Sequence, residues 1–222
     1  MIYSAIVFLP GLGALIVGLF GRLLGVRASE LITTGLLIVS CILSWIVFWR
    51  VGFQHETANE VIARWITSGE LDISWSIRVD TLTSVMFIVV TTVSSLVHVY
   101  SMGYMSEDPS RPRFFSYLSG FTFAMLMLVT SDNLVQLFFG WEGVGLFSYL
   151  LIGFWYQKPE ANAAAINAFL VTRLGPYGFA LPCLRAFALC GTIASHHIFH
   201  VAPGLLLHRP LVLRCSLRIC PH

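Results

Sequence analysis

One carboxylate in this sequence sits where chemistry is the first explanation to consider. Glu142 is the single charged residue in the apolar stretch 133–156, and Gly140, Gly143 and Gly145 around it let a neighbouring backbone or water approach. A carboxyl group in apolar surroundings is costly. It marks a proton or ion path, or else a structural ion pair or a permanently protonated acid. Arg173, the single charge in the stretch 161–184, is its natural partner. If the two stretches are consecutive antiparallel helices, Glu142 lies about 13.5 Å into the first and Arg173 about 18 Å into the second. In an apolar slab about 30 Å thick these depths match, so the two can pair. The alternative for Arg173 is snorkelling or pairing with helix-end carbonyls.

A second group of candidates lies in residues 81–106. Ser84, Thr91, Ser95 and His98 fall at offsets 0, 7, 11 and 14, one face of a helix. Hydroxyls on such a stripe serve interhelical hydrogen bonding. His98 either packs with them or relays protons, since imidazole titrates near neutral pH. Asp80 opens the same helix, where the helix dipole favours an acid.

The third group is in the tail, where Cys183, Cys190, Cys215 and Cys220 accompany His196, His197, His200, His208 and His222. Thiolate and imidazole are metal ligands, but neither a Cys-x2-Cys nor a Cys-x-x-Cys-His spacing occurs, so no metal site is expected. An odd cysteine count, with Cys41 inside an apolar run, also speaks against a disulfide framework. All 11 acids lie at or before Glu160. Residues 182–222 therefore read as an off-pattern tail of the kind a shifted reading frame produces, with no ordered core after about Leu189.

These residues must be held by long apolar elements. The chain is 57% hydrophobic and 11% charged, which excludes an ordinary soluble domain, and 17 Phe and 6 Trp exclude disorder. A net charge of +2 provides no basic surface for nucleic acid. Residues 1–21, 31–49, 81–106 and 114–131 contain no Lys, Arg, Asp or Glu, and each is long enough for a membrane span. With 133–156 and 161–184 they predict six spans in an all-α polytopic bundle, because in lipid every backbone group must be satisfied internally. The first run lacks a basic n-region and a cleavage site and reads as a retained helix. Arg22, Arg27, Arg111, Arg113 and Lys158 follow spans 1, 3 and 5, which places those loops inside and the N-terminus outward. The longer loop after span 2 holds LDISWSI at 71–77, whose alternation predicts a strand in a short outward hairpin.

Residues 113–156, RFFSYLSGFTFAMLMLVTSDNLVQLFFGWEGVGLFSYLLIGFWY, closely resemble the antiporter-like membrane-arm subunit L of bacterial NADH:quinone oxidoreductase, respiratory complex I. Residues 78–105, RVDTLTSVMFIVVTTVSSLVHVYSMGYM, are similar too. The resemblance covers residues 1–181, read as the N-terminal part of an antiporter-like transmembrane domain, and stops there.

The resemblance implies proton translocation coupled to electron transfer in other subunits. It implies no cofactor or redox centre in this chain, no small-molecule substrate, other membrane-arm subunits as partners, and a place in the bacterial inner membrane. Glu142 matches the family's helix 5 glutamate, which faces a lysine on helix 7 and connects to a lysine on helix 12. This sequence ends before those helices, so an incomplete, non-pumping fragment is expected. Within the match, Pro176 replaces a family carboxylate near Arg173 and Asn167 stands where the family usually has lysine. The alternatives are a subunit of a multisubunit cation/proton antiporter or membrane-bound hydrogenase, and a structural membrane protein.

Overall fold

The computed structural model describes residues 2–54, 58–68 and 71–190. Six helices and one β-hairpin follow in chain order: α1 (Ile2–Leu24), α2 (Val26–Gln54), β1 (Ala58–Ser68), β2 (Leu71–Val79), α3 (Thr81–Tyr104), α4 (Arg111–Val129), α5 (Leu134–Ile152) and α6 (Pro159–Cys190). Among the described residues, α1 to α5 are each long and apolar enough to cross a membrane, so this is an integral membrane protein. The sixth expected span corresponds to α6, which runs through Pro176 without interruption. The expected character of the tail past Cys190 falls outside the described residues.

Helix ends depart from the apolar runs where the local chemistry differs. Gly25, at φ +80°, separates α1 from α2. That left-handed conformation suits glycine, and it reverses the chain within one residue. Helix α2 therefore begins at Val26, ahead of the uncharged run, and Glu30 in its second turn is buried against Arg111 at 3.3 Å. Helix α4 starts at Arg111 with Pro112 in its first turn, where a missing N–H costs nothing. Asn133 stands outside α5 as its N-cap, its side chain accepting from Gln136 N at 2.8 Å. Asp80 does the same for α3 through Thr83 N at 2.8 Å.

The hairpin pairs β1 with β2 antiparallel, with register shifts between Val61 and Ala63 and between Arg64 and Ile66. It closes one end of the bundle. Ile77 and Val79 join Ile6, Val7, Val47, Val51, Phe87, Leu126 and Met127 in a buried core that ties the hairpin to α1, α2, α3 and α4. Its link to the α4–α5 turn is polar: Arg78 N donates to Thr130 O at 3.0 Å, Asn133 Nδ2 to Ser74 O at 2.8 Å, and Ser76 N to Gln136 Oε1 at 3.3 Å.

Helix α4 is the centre of the assembly, packing against α1, α2, α3 and α5, while α5 carries α6 on its other side. At the far end from the hairpin, Asp108 accepts from Ser110 N and from Trp155 Nε1, at 2.7 and 3.1 Å, joining the α3–α4 and α5–α6 connections.

Candidate functional site

Glu142 lies two turns into α5, and its position follows from how closely α5 can approach its neighbours. A Cβ on Gly140 would lie 2.8 Å from the Cα and N of Leu128, and one on Gly143 would lie 3.1 Å from Ala124 Cβ. These two glycines seat α5 against α4. Gly145 points the other way, toward Thr172 at 3.5 Å, and so brings α6 in beside Glu142. Helix spacing sets the rest: Thr172 packs near Gly145, and the next residue, Arg173, donates from Nη1 to Glu142 Oε2. The arginine is also held from below, with its guanidinium 4.8 Å from the Phe169 ring, which itself packs on Tyr149 at 5.1 Å. A cation over an aromatic face gains electrostatically where water is scarce.

The pair is not sealed. The side chain of Glu142 is 20% exposed and that of Arg173 40% exposed, and Trp141 beside them is half-exposed. Two charges at mid-span facing hydrocarbon would be expensive.

His98 belongs to a separate site between α3 and α4. It is fully buried, with Nδ1 2.8 Å from Ser94 O and Nε2 3.0 Å from Ser119 Oγ. A carbonyl oxygen only accepts, so Nδ1 carries the hydrogen, and in the neutral ring Nε2 accepts from the Ser119 hydroxyl. Phe115 covers the ring at 5.9 Å. One turn away, Thr122 Oγ1 donates to Ser94 Oγ at 3.0 Å, which makes a two-rung polar ladder across the α3–α4 seam. One helix thus serves both sites: α4 turns Ser119 and Thr122 to α3, and Gly120, Ala124 and Leu128 to α5.

The hydroxyl stripe behaves differently from the expectation of interhelical bonding. Ser84 Oγ donates to Thr81 O and Thr91 Oγ1 to Phe87 O, both inside α3, because a Ser or Thr in a helix reaches its own preceding turn more readily than a neighbour. Ser95 Oγ is buried without a partner. Of the stripe, His98 reaches across the α3–α4 seam, to Ser119; the other bond across that seam joins Thr122 to Ser94, and neither Ser94, Ser119 nor Thr122 belongs to the stripe. The i, i+4 spacing of Ser94 and His98 and the i, i+3 spacing of Ser119 and Thr122 were the available signal. Among the described residues no three His, Cys, Asp or Glu side chains gather as a metal ligand set.

Residues 65–115 match the family described as NADH-Ubiquinone oxidoreductase (complex I), chain 5 N-terminus, and residues 131–219 match the one described as NADH:quinone oxidoreductase/Mrp antiporter, TM. The second match runs past Leu181 to residue 219. NADH-quinone oxidoreductase subunit L of Rhodobacter capsulatus is 57% identical over 209 residues, covering 91% of this chain and 29% of that protein. NADH-ubiquinone oxidoreductase chain 5 of Arabidopsis thaliana is 54% identical over 200 residues, covering 90% of this chain and 30% of that one. The chain thus spans about 30% of the length of these curated relatives. In three dimensions it superposes on a chain of the archaeal membrane-bound sulfane sulfur reductase with a TM-score of 0.79 at 14% identity, covering 90% of this chain and 40% of the other.

Proposed function

Because the chain belongs to the family of NADH-quinone oxidoreductase subunit L and NADH-ubiquinone oxidoreductase chain 5, we propose that it supplies N-terminal helices of a proton-translocating membrane-arm subunit. The observation that carries this reading is the Glu142–Arg173 pair, a carboxylate and a cation joined across α5 and α6 at mid-span with one side open. Glu142 is the group that takes up and passes on the proton, and Arg173 is its charge partner between transfers. A proton arriving on Glu142 removes the charge that holds Arg173. The freed guanidinium then bears on whatever titratable group the rest of the protein brings to the open side, and the two sites respond to one another. His98, with Ser119, is a second buried group able to carry a proton.

In this reading the electrons move in other subunits, and the chain binds no cofactor or small-molecule substrate. Its partners are the other membrane-arm subunits of complex I and the lipid around them. The end with Arg27, Arg111, Arg113 and Lys158 faces inward in the bacterial inner membrane, with the hairpin and the N-terminus outside. A multisubunit cation/proton antiporter is the second reading, favoured by the family shared with Mrp antiporters over residues 131–219. The oxidoreductase names of relatives at 57% and 54% identity favour the first.

The test is a chimaera in which this chain replaces the matching part of the Rhodobacter capsulatus subunit. NADH-driven proton pumping is then measured in membrane vesicles. Glu142→Gln keeps the size and hydrogen bonding of the side chain but not its titration, so pumping should be lost while the complex still assembles. Undiminished pumping with Gln would refute the relay role. The 222-residue chain alone, reconstituted with an imposed pH gradient, should collapse that gradient no faster than empty vesicles. A leak that Glu142→Gln abolishes would show that these helices already form a complete path.

A further inference from the structure

Away from both sites, at the end of the bundle opposite the hairpin, a cleft of about 520 Å³ opens between the end of α1, the start of α2 and the first turns of α4. Its chemistry changes with depth. Val17 and Gly18 of α1 line its inner part, and Ser110, Arg113 and Tyr117 line its α4 side. Val17 lies eight residues, about 12 Å, before the chain reversal at Gly25. The inner part is therefore at hydrocarbon depth, and the rim is at the level of lipid headgroups.

The packing that forms this cleft follows from the glycines. A Cβ on Gly18 would meet Ser116 Oγ at 3.0 Å, and one on Gly21 would meet Pro112 Cβ at 3.1 Å, so α1 comes close to α4 at its base. Gly25, with nothing within 4 Å of its Cβ position, leaves the rim open.

Charge sets what such a cleft accepts. Its lining includes Arg113 and no Asp or Glu. Arg113 is fixed at the rim: Nη2 donates to Phe154 O at 3.2 Å, and the guanidinium lies 4.9 Å from the Phe154 ring and 5.6 Å from that of Tyr156. A guanidinium has five N–H donors, so a planar fork remains for an anion. Ser110 adds a hydroxyl that makes no capping bond, while its backbone N–H is already taken by the Asp108 carboxylate at 2.7 Å, so the recognition of an anion rests on Arg113 and the hydroxyl.

We infer that this cleft binds one anionic phospholipid, its phosphate on Arg113 and Ser110 and the start of an acyl chain along Val17 and Gly18. An amphiphile fits the apolar-to-basic gradient, whereas a free anion would leave the inner half of the cleft unfilled.

The test is native mass spectrometry of the full chain released from detergent, titrated with dioleoyl phosphatidylglycerol or with the phosphatidylcholine of the same acyl chains. The expected result is a one-to-one phosphatidylglycerol adduct forming at about tenfold lower lipid concentration than the phosphatidylcholine adduct. Arg113→Gln should remove that preference. Val26→Trp, which fills the rim and leaves Arg113 in place, should weaken the adduct with unchanged far-UV circular dichroism. Lys158→Gln, at the same end but outside the cleft, should leave it intact. Equal affinity for the two lipids, an unaltered adduct in Arg113→Gln or Val26→Trp, or an equal loss in Lys158→Gln would overturn the inference. So would displacement of the lipid by millimolar glycerol phosphate, since the headgroup alone would then account for binding.

Discussion

Gly140 provides the sharpest test of how Glu142 is positioned. In Gly140→Ala the new Cβ would lie 2.8 Å from both the Cα and N of Leu128, against 3.4 Å for the start of ordinary contact. The obstacle is backbone, so no side-chain rotation relieves it, and α4 and α5 must part by about 0.6 Å, the difference of those two values. Overpacking of this kind costs about 1–3 kcal/mol. Gly120→Ala is an instructive contrast: its Cβ would sit 2.3 Å from the Phe147 ring, a closer clash, but with a side chain that can swing, so its cost should be smaller.

The control is Gly35→Ala in α2, where nothing lies within 4 Å. Removing a helix-interior glycine there should be neutral or stabilising by up to about 1 kcal/mol. Thermal unfolding midpoints in one detergent should therefore rank Gly35→Ala at or above the parent, then Gly120→Ala, then Gly140→Ala. The displacement should also reach function, because Glu142 is half a turn beyond Gly140: in the chimaera, Gly140→Ala should reduce pumping while Gly35→Ala does not. A Gly140→Ala protein as stable as the parent, or a Gly35→Ala protein as unstable as Gly140→Ala, would show that the α4–α5 contact is not the tight one described.

Four further outcomes follow. Glu142→Gln and Arg173→Gln should each destabilise the chain by about 1 kcal/mol, since each leaves one charge without its partner in a pair that is only partly covered, and the double substitution should recover most of that loss in a mutant cycle. Asn133→Ala removes both the α5 cap and the donation to Ser74 O, so its midpoint should fall further than that of Asp80→Ala; Asn133→Asp keeps the cap and loses only the donation, so it should fall less than Asn133→Ala. His98→Ala empties a buried site and strands Ser119, for a cost of about 3 kcal/mol by unfolding, whereas His98→Gln should cost less if its amide reaches Ser119. In a cysteine-free background, impermeant maleimide applied to intact cells should label a cysteine at Asn59 and miss cysteines at Glu107 and Gln157; the reverse pattern would invert the orientation.

Which parts of this were readable in the sequence depends on whether one residue's chemistry or the rotation of a helix decides the feature. The spans are legible because charge-free length answers directly to the thickness of the bilayer. The ends are less so: α2 begins five residues ahead of its apolar run because Gly25 can turn left-handed and because Glu30 finds Arg111, a partner 81 residues away. Strand β2 shows its alternation, whereas β1 hides behind two register shifts that put its apolar residues out of period.

For the site, depth was computable from rise alone, but azimuth was not, and azimuth decides whether Glu142 meets Arg173. It is set by which glycines of α5 face α4 and which faces α6, a choice made by packing along the whole helix. The same limit hid the α4 partners of His98. Residues 119–128 read as one uncharged run, yet successive residues turn by about 100°, so Ser119 and Thr122 meet α3 while Gly120, Ala124 and Leu128 meet α5. Because both faces belong to one rigid helix, a shift of α4 that loosens Leu128 from Gly140 also moves Ser119 against His98. The Glu142 and His98 sites thus share α4 as a common wall although no described hydrogen bond connects them.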